Sequence, residues 1–170
     1  GGKLYQGVDP DLPALLTRLC AKADVLLPNL TEAALLLQIP YDTCLALPKG
    51  ERMDRLSALG PRQVVLTGVR DEGGYSTAVA SGGQITYLPN RRLPGQFHGT
   101  GDLFAAAMLG AMLCGFSAVN AARIAGTFCE GAVKATIEQG QREQHGLLFE
   151  RVLPQYIQAL GLSAQEEERE

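Results

Sequence analysis

A short glycine-rich turn that leads directly into a long apolar segment constrains this chain more than any other feature. The turn is His98-Gly99-Thr100-Gly101-Asp102, and the apolar segment, LFAAAMLGAMLCG, occupies 103–115. The segment predicts a helix that is apolar on all sides from Leu103 to Cys114 and is therefore buried. The first amides of a helix have no partner within it, and the helix dipole is positive there. The sequence thus predicts a carboxylate and free amides at the start of a buried helix.

Two interpretations of this turn remain open from the residues alone. Gly99 and Gly101 leave room for a phosphate to reach the helix amides, and Asp102 could take a proton from an attacking hydroxyl. An anion cradle beside a base is typical of phosphoryl transfer. Alternatively, the glycines form a tight turn and Asp102 only caps the helix or favours its dipole. Within 91–129 there is no other Asp or Glu, so Asp102 is the only candidate base of that block.

Other nucleotide-binding motifs are absent from the sequence. No GxxxxGK[ST] phosphate loop occurs, and Phe104 stands where a dinucleotide fingerprint would need its third glycine. With His98 and His145 as the only histidines, a zinc site is not expected.

Strand and helix signals alternate along the chain, which predicts an α/β fold. Gly82-Gly83 between two alternating segments indicates a β-hairpin, and the apolar run Gln63–Thr67 indicates a buried parallel strand. Residues 41–50, with Pro48 and Gly50, are expected to form a loop. The remaining predicted elements are helices over 11–23, Thr31–Gln38, Glu51–Leu59, 117–138 and Leu147–Leu160 (interrupted at Pro154), with strands Val25–Leu27, Tyr75–Ala80 and Gln84–Leu88.

Two further polar positions lie at predicted element ends. Asn29 and Glu32 have the N-x-x-E spacing of a helix capping box, but their oxygens also suit magnesium and its waters. Thr67-Gly68 ends the strand that starts at Gln63. This pair is either a strand-ending turn or a ligand contact at the carboxyl end of a parallel strand.

Four segments together resemble the ribokinase-like kinases, and among these the pyridoxal (pyridoxamine) kinases. They are GGKLYQGVD at 1–9, DVLLPNLTEAALLL at 24–37, VVLTGV at 64–69 and LPGQFHGTGDLFAAAMLGAMLCG at 93–115. The resemblance covers about residues 1–160 and corresponds to the C-terminal, ATP-binding portion of such a kinase. It implies a three-layer α/β/α fold with a mostly parallel sheet plus a β-hairpin. Because the sequence starts at Gly1-Gly2 without Met, we expect a truncated or incomplete chain.

The resemblance also implies roles for particular residues. Asp102 becomes the catalytic base, and Gly99, Thr100 and Gly101 form the anion hole. Thr67 and Gly68 contact ATP phosphate, while Asn29 and Glu32 hold Mg²⁺ indirectly. Tyr5 and His98 are assigned to the nucleotide region.

The implied reaction is transfer of the ATP γ-phosphoryl group to the 5′-hydroxymethyl of pyridoxal, pyridoxine or pyridoxamine. The implied cofactors are ATP and Mg²⁺, and a monovalent cation such as K⁺ is compatible with the family. Hydroxymethylpyrimidine kinase of the same fold is the alternative, although that branch often has Cys in the motif where this chain has Thr-Gly-Asp. A non-catalytic truncated fragment is a third reading. The resemblance implies a homodimer for the full-length protein.

Charge and composition restrict the kinds of partner and the cellular location that we expect for this protein. The net charge is −3 with scattered Lys and Arg, so no nucleic-acid partner is expected. No apolar run is long enough to span a bilayer, and the four cysteines show no CxxC spacing, which together favour a cytoplasmic protein without membrane contact. One domain over 1–160 is expected, followed by a charged, disordered tail over 161–170.

Overall fold

The computed structural model describes residues 12–71, 74–91, 93–95, 97–140 and 146–162. The chain divides into two compact units between Arg92 and Leu93. Among the described residues, no helix combines the length and the apolar character that crossing a membrane requires. The expectations for Tyr5 and for the tail from residue 163 onward fall outside the described residues.

In the part of the first unit that the structure describes, four helices accompany a four-stranded sheet. Its helices are α1 Leu12–Cys20, α2 Leu30–Leu36, α3 Tyr41–Ala46 and α4 Lys49–Ser57, and its strands are β1 Val25–Leu26, β2 Gln63–Asp71, β3 Gly74–Ser81 and β4 Gln84–Asn90. The strand order is β1-β2-β3-β4. The predicted hairpin is confirmed, because Gly82 and Gly83 both have positive φ (58° and 76°) between the paired strands β3 and β4.

The predicted α/β class is confirmed, but the expectation of a mostly parallel sheet is wrong for the described strands. β1 pairs with β2 in parallel, whereas β2–β3 and β3–β4 are antiparallel. The reason is that β2 is longer than predicted and continues to Asp71, whose partner in β3 is Gly74. A strand that returns directly beside its predecessor must be antiparallel to it.

Residues 41–50 are largely helical rather than a loop, which corrects the sequence expectation. Pro48, with ψ 142°, separates α3 from α4 instead of ending helical structure altogether. The buried guanidinium of Arg52 donates to the main-chain oxygens of Cys44, Leu45 and Leu47, each at 2.9 Å. These bonds satisfy carbonyls at the end of α3 that a helix terminus leaves without a partner.

The core of this unit lies between one face of the sheet and the helices. It contains aliphatic and sulfur side chains from α2, α3, α4 and the strands, among them Ala33, Cys44, Met53, Leu56, Val64, Leu66, Val69 and Ala78. The packing positions the carboxyl ends of β1 and β2, where polar residues follow.

The second unit is helical. Its elements within the described ranges are α5 Thr100–Leu113, α6 Ala118–Glu138, a 3₁₀ helix Phe149–Val152 and α7 Leu153–Ala159. The predicted Ser117 cap is confirmed, since its hydroxyl accepts from the amide of Asn120. The predicted interruption of a helix at Pro154 is not observed. Pro154 lies in the first turn of α7, where an N–H would have no partner within the helix.

The prediction that α5 is buried on all sides is wrong. Phe104, Ala107, Met108 and Ala111 are buried, at the i, i+3, i+4, i+7 spacing of one helix face. Leu109 and Leu113 are 58% and 80% exposed. α5 packs mainly against α6, and neighbours on one side of a helix cover one stripe of it rather than its whole circumference.

Candidate functional site

Asn29 stands at the carboxyl end of β1 and caps α2. Its Oδ1 accepts from the amides of Thr31 and Glu32 at 2.9 and 3.0 Å. Its own amide donates to Oε2 of Glu32 at 2.9 Å. The structural reading of this N-x-x-E segment is therefore realised as a reciprocal capping box, which holds both side chains in fixed positions.

Thr67 is placed beside Asn29 by the sheet. The two residues form a parallel bridge, and the Thr67 amide donates to the main-chain oxygen of Pro28 at 3.0 Å. The structure thus brings together two positions that are 38 residues apart in the printed numbering. Asn29 follows β1, and Thr67 lies beside it in the parallel neighbour β2. The carboxyl ends of parallel strands are where ligands of open α/β sheets bind.

A β-bulge shapes the β2 strand at Thr67-Gly68. The pairing of β2 with β3 shifts between Leu66 and Val69, so that both residues of the pair stand opposite Thr77. Gly68 has φ +71°, a backbone conformation that side chains disfavour. Bulges of this kind re-aim a strand near functional sites, and here the bulge carries the two residues assigned to phosphate.

The turn before α5 presents backbone amides without a side-chain cap. Gly99 is the N-cap residue in the left-handed conformation, φ 82° and ψ 0°, and no described side chain caps the helix. The first intrahelical bond runs from the Leu103 amide to the Gly99 oxygen at 2.9 Å. The amides of Thr100, Gly101 and Asp102 therefore precede the helical hydrogen-bond pattern, at the positive end of the dipole.

The space above these amides is open. A Cβ built on either Gly99 or Gly101 would meet no heavy atom within 4 Å. At Gly99 the positive φ already favours glycine, but at Gly101 the backbone is helical and neither strain nor crowding requires it. An absent side chain at Gly101 leaves volume that an anion can occupy.

Two contacts of Thr100 stabilise the turn before α5. The Thr100 hydroxyl donates to the main-chain oxygen of Phe97 at 2.8 Å. The thiol of Cys129, on α6 and 6% exposed, lies 3.8 Å from the Thr100 oxygen. Burial raises the pKa of this thiol to about 12, so it keeps its proton at neutral pH and can donate weakly. The backbone of the turn at Thr100 is thus held by the preceding residue Phe97 and by α6.

Asp102 lies in the first turn of α5 with its side chain exposed. Its carboxylate makes no hydrogen bond or ion pair with any residue that the structure describes. His98 is also exposed, and within the described ranges its ring has no hydrogen-bond partner that would orient the turn. Asp102 is therefore open to a ligand, as a base must be.

Thr77 and Asn90, two side chains of the hairpin, escape the sequence patterns used above. Asn90 Nδ2 donates to the Thr77 hydroxyl at 2.9 Å, beside the bulge. The sequence signal for Asn90 was its position: it is an amide side chain just after the predicted strand Gln84–Leu88. The observed strand ends at Asn90 itself.

The oxygens of Asn29 and Glu32 suit contact with the water molecules of a magnesium ion better than direct coordination of the ion. No group of three or more potential His, Cys, Asp or Glu ligands exists among the described residues. Asn29 Oδ1 already accepts two amide bonds, whereas Glu32 uses one oxygen for one amide. A carboxylate retains further lone pairs for the waters that Mg²⁺ keeps. Glu32 therefore fits an indirect role, and a K⁺ site stays a prediction.

Known families and structures are similar to most of the chain. The family model of phosphomethylpyrimidine kinase matches residues 7–147. The pyridoxal kinase of Lactobacillus plantarum is 34% identical with a TM-score of 0.82, over 92% of this chain and 57% of that one. A protein of Bacteroides thetaiotaomicron described as a phosphomethylpyrimidine kinase is 30% identical with a TM-score of 0.82, over 97% and 57%. The orthorhombic crystal form of the latter contains pyridoxal.

The chain spans just over half the length of these relatives, 57% of each. No curated protein matches it significantly. The matched structures have the ribokinase-like α/β fold that the four sequence segments imply, so that expectation is confirmed.

Proposed function

The chain belongs to the phosphomethylpyrimidine kinase family, and on that premise we propose that it carries the nucleotide site and catalytic base of an ATP-dependent kinase. The acceptor we propose is the 5′-hydroxymethyl group of pyridoxal, pyridoxine or pyridoxamine. The observation that carries the proposal is the turn at Gly99–Asp102, with uncapped amides, open space at Gly101 and an exposed carboxylate. The same residues could form a plain helix start, but uncapped amides next to an exposed carboxylate favour a ligand.

Each element has a defined chemical task in this proposal. The amides of Thr100, Gly101 and Asp102 stabilise negative charge on the transferring phosphoryl group. Asp102 takes the proton of the acceptor hydroxyl as the bond to phosphorus forms, help that is worth about 10²–10⁴-fold. Thr67 and Gly68 contact ATP phosphate at the bulge. Glu32, held by Asn29, accepts hydrogen bonds from the waters of the Mg²⁺ that accompanies ATP.

The choice of acceptor rests on the relatives. A pyridoxal kinase and a pyridoxal-containing crystal form are among the matched structures, which supports a B6 vitamer. The family description names a kinase of a phosphomethylpyrimidine, and this pyrimidine chemistry keeps hydroxymethylpyrimidine as the second candidate. Both acceptors offer a hydroxymethyl group on a flat heteroaromatic ring, so they share the same mechanism. Parallel turnover assays with pyridoxal and hydroxymethylpyrimidine distinguish them by kcat/KM.

Nucleotide binding by this chain tests the core of the proposal. Calorimetry should detect MgADP binding by the folded protein. Gly101→Leu should weaken it by at least about tenfold, because a side chain would occupy the phosphate position. Gly50→Leu is the matched control: Gly50 is also a helical glycine with no atom within 4 Å of an added Cβ. Equal affinity in both variants would contradict the proposal.

The remaining parts of the proposal concern the whole protein. We expect the 170-residue chain alone to show little B6 turnover, because by resemblance most acceptor contacts come from sequence upstream of it. Robust turnover by the chain alone would place the acceptor pocket within it. A homodimer of the full-length protein, testable by sedimentation, and a cytoplasmic location complete the proposal.

A further inference from the structure

The thiol of Cys129 is a buried polar group to which the function proposed above gives no task. Cys129 lies in α6 and is 6% exposed. Ala125 and Ala132, one turn before and one turn after it on the same helix face, are fully buried, so this face of α6 is closed to water. Buried polar groups in folded proteins are held by a hydrogen-bond partner.

The partner of the thiol is the main-chain oxygen of Thr100, 3.8 Å from the sulfur. The two residues are 29 positions apart in the chain, and the packing of α5 on α6 brings them together. Burial raises the pKa of the Cys129 thiol to about 12, so the sulfur keeps its proton at neutral pH. The direction of the bond follows, because a carbonyl oxygen can only accept: the S–H donates to Thr100.

The Thr100 oxygen and the Gly101 amide belong to one rigid peptide unit. A trans peptide bond is planar, and its C=O and N–H point in opposite directions. A donor that fixes the direction of the Thr100 oxygen therefore also fixes the direction of the Gly101 amide. This amide precedes the hydrogen-bond pattern of α5, and the space at Gly101 is open. The thiol thus acts on one of the amides to which the proposed function gives the phosphate.

Two physical effects carry the influence of the thiol to that amide. A donor at the carbonyl polarises the peptide, which makes its N–H a better donor. The contact also restricts a turn that begins at Gly99, a residue with wide conformational freedom. A turn that is ordered before the anion arrives loses less entropy when the anion binds. Because a thiol is a weak donor, we expect an effect of modest size.

We propose that Cys129 is a positioning residue of the phosphate site, which holds the Thr100–Gly101 peptide so that the Gly101 amide faces the bound anion. The inference rests on the function proposed above and adds α6 to the elements that form this site. Cys129 itself does not touch the nucleotide. It acts through the peptide on the phosphate chain of the bound adenine nucleotide.

Cys129→Ala removes the donor and keeps a good helix former. We expect the Kd for MgADP, measured by calorimetry on the unmodified and variant chains, to rise at least about threefold, as for the loss of one weak hydrogen bond. Val133→Ala is the matched control: Val133 is also buried in α6, one turn further along, and its truncation removes no donor. It should leave the Kd unchanged. Melting curves verify that both variants are folded.

Cys129→Ser distinguishes a donor from a packing residue. Serine carries an O–H on the same carbon, so this variant should bind MgADP more tightly than Cys129→Ala does. If Cys129 only filled space, a hydroxyl there would be unfavourable and serine would bind no better than alanine. The NMR signal of the Gly101 amide proton gives a second readout without nucleotide. It should shift in Cys129→Ala and keep its position in Val133→Ala.

The outcomes separate the two proposals. If the unmodified chain binds MgADP and Cys129→Ala binds it as tightly as Val133→Ala, the positioning role is overturned and the proposed function stands. The same conclusion follows if Cys129→Ser binds no more tightly than Cys129→Ala. If the unmodified chain binds no MgADP, the proposed function fails, and the role of Cys129 fails with it.

Discussion

The hydroxyl of Tyr156 donates a 2.7 Å hydrogen bond to the main-chain oxygen of Ala107, in the middle of α5. The approach is possible because residue 110 is glycine: a Cβ there would lie 2.5 Å from the Tyr156 oxygen. The Tyr156 ring also packs on Phe128 of α6, with centroids 4.7 Å apart. One side chain of α7 thereby ties together the two helices that support the proposed phosphate turn.

Gly110→Ala should lower the free energy of unfolding by about 1–3 kcal/mol, because the new methyl group displaces the Tyr156 hydroxyl. This loss should exceed the gain of about 1 kcal/mol that alanine brings to a helix interior. In the Tyr156→Phe background the clash disappears, and the same substitution should be neutral or stabilising. Denaturant unfolding of the four proteins completes the cycle. Stabilisation by Gly110→Ala in the unmodified protein would refute the packing argument.

Glu32→Gln separates the capping role of this residue from its proposed metal role. Glutamine at this position can still accept from the Asn29 amide, so the melting temperature should hardly change. Loss of the negative charge should reduce the Mg²⁺-dependent gain in ADP affinity by at least about tenfold. Glu51→Gln, also in a first helical turn, is the control. Undiminished Mg²⁺ dependence in the Glu32 variant would leave only the capping role.

Asp102→Asn should lower kcat by at least about 10²-fold in the catalytically active whole protein, with little change in nucleotide affinity. Asparagine keeps the size and a capping ability, so the fold should survive, but it cannot take the acceptor proton. Asp54→Asn, an exposed carboxylate on α4, provides the control in the same assay. Normal kcat with a small loss of stability would instead identify Asp102 as a helix cap only.

The buried thiol of Cys129 should make stability depend on alkaline pH. Burial raises the pKa of Cys129 to about 12, while an unfolded thiol titrates near about 8.5. Above the lower value only the unfolded state loses this proton. The contribution to stability is therefore complete below about pH 8.5 and falls by about 1.4 kcal/mol per pH unit up to about 12.

Cys129→Ala should flatten the fall of the unfolding free energy between pH 9 and 11, whatever it does to stability at neutral pH. Burial also raises the pKa of the Cys20 and Cys44 thiols, so part of the slope should remain. Cys114 is exposed, and Cys114→Ala should leave the slope as it is. A slope that is the same in both variants would contradict the buried state of Cys129.

Features that depend on three or four neighbouring residues were predictable from the sequence. The Gly82-Gly83 hairpin and the Ser117 cap formed as expected, and the capping box, one of the two readings of Asn29 and Glu32, formed as well. So did the start of α5 at the glycine turn. In each case the hydrogen bonds join residues that are adjacent along the chain, so the local sequence carries the whole signal.

Features that depend on distant partners were not predictable. The helix over 41–46 relies on Arg52 reaching back to its carbonyls, and the two proline and glycine signals nearby suggested a loop. The antiparallel partner of β2 and the exposure of Leu109 and Leu113 follow from which elements pack together. Periodicity describes an element alone and says nothing of its neighbours.

The candidate site also combines local features, which the sequence predicts, with contacts between distant residues, which it does not. The sequence by itself determined which residues are candidates for the chemistry, since a carboxylate next to glycines at a helix start is a local pattern. Only the tertiary structure decided that Asn29 lies beside Thr67, that a bulge presents Thr67-Gly68, and that Thr77 holds Asn90. Sheet pairing makes these contacts between residues far apart in the chain, and register across strands is set by packing of whole elements rather than by any short segment.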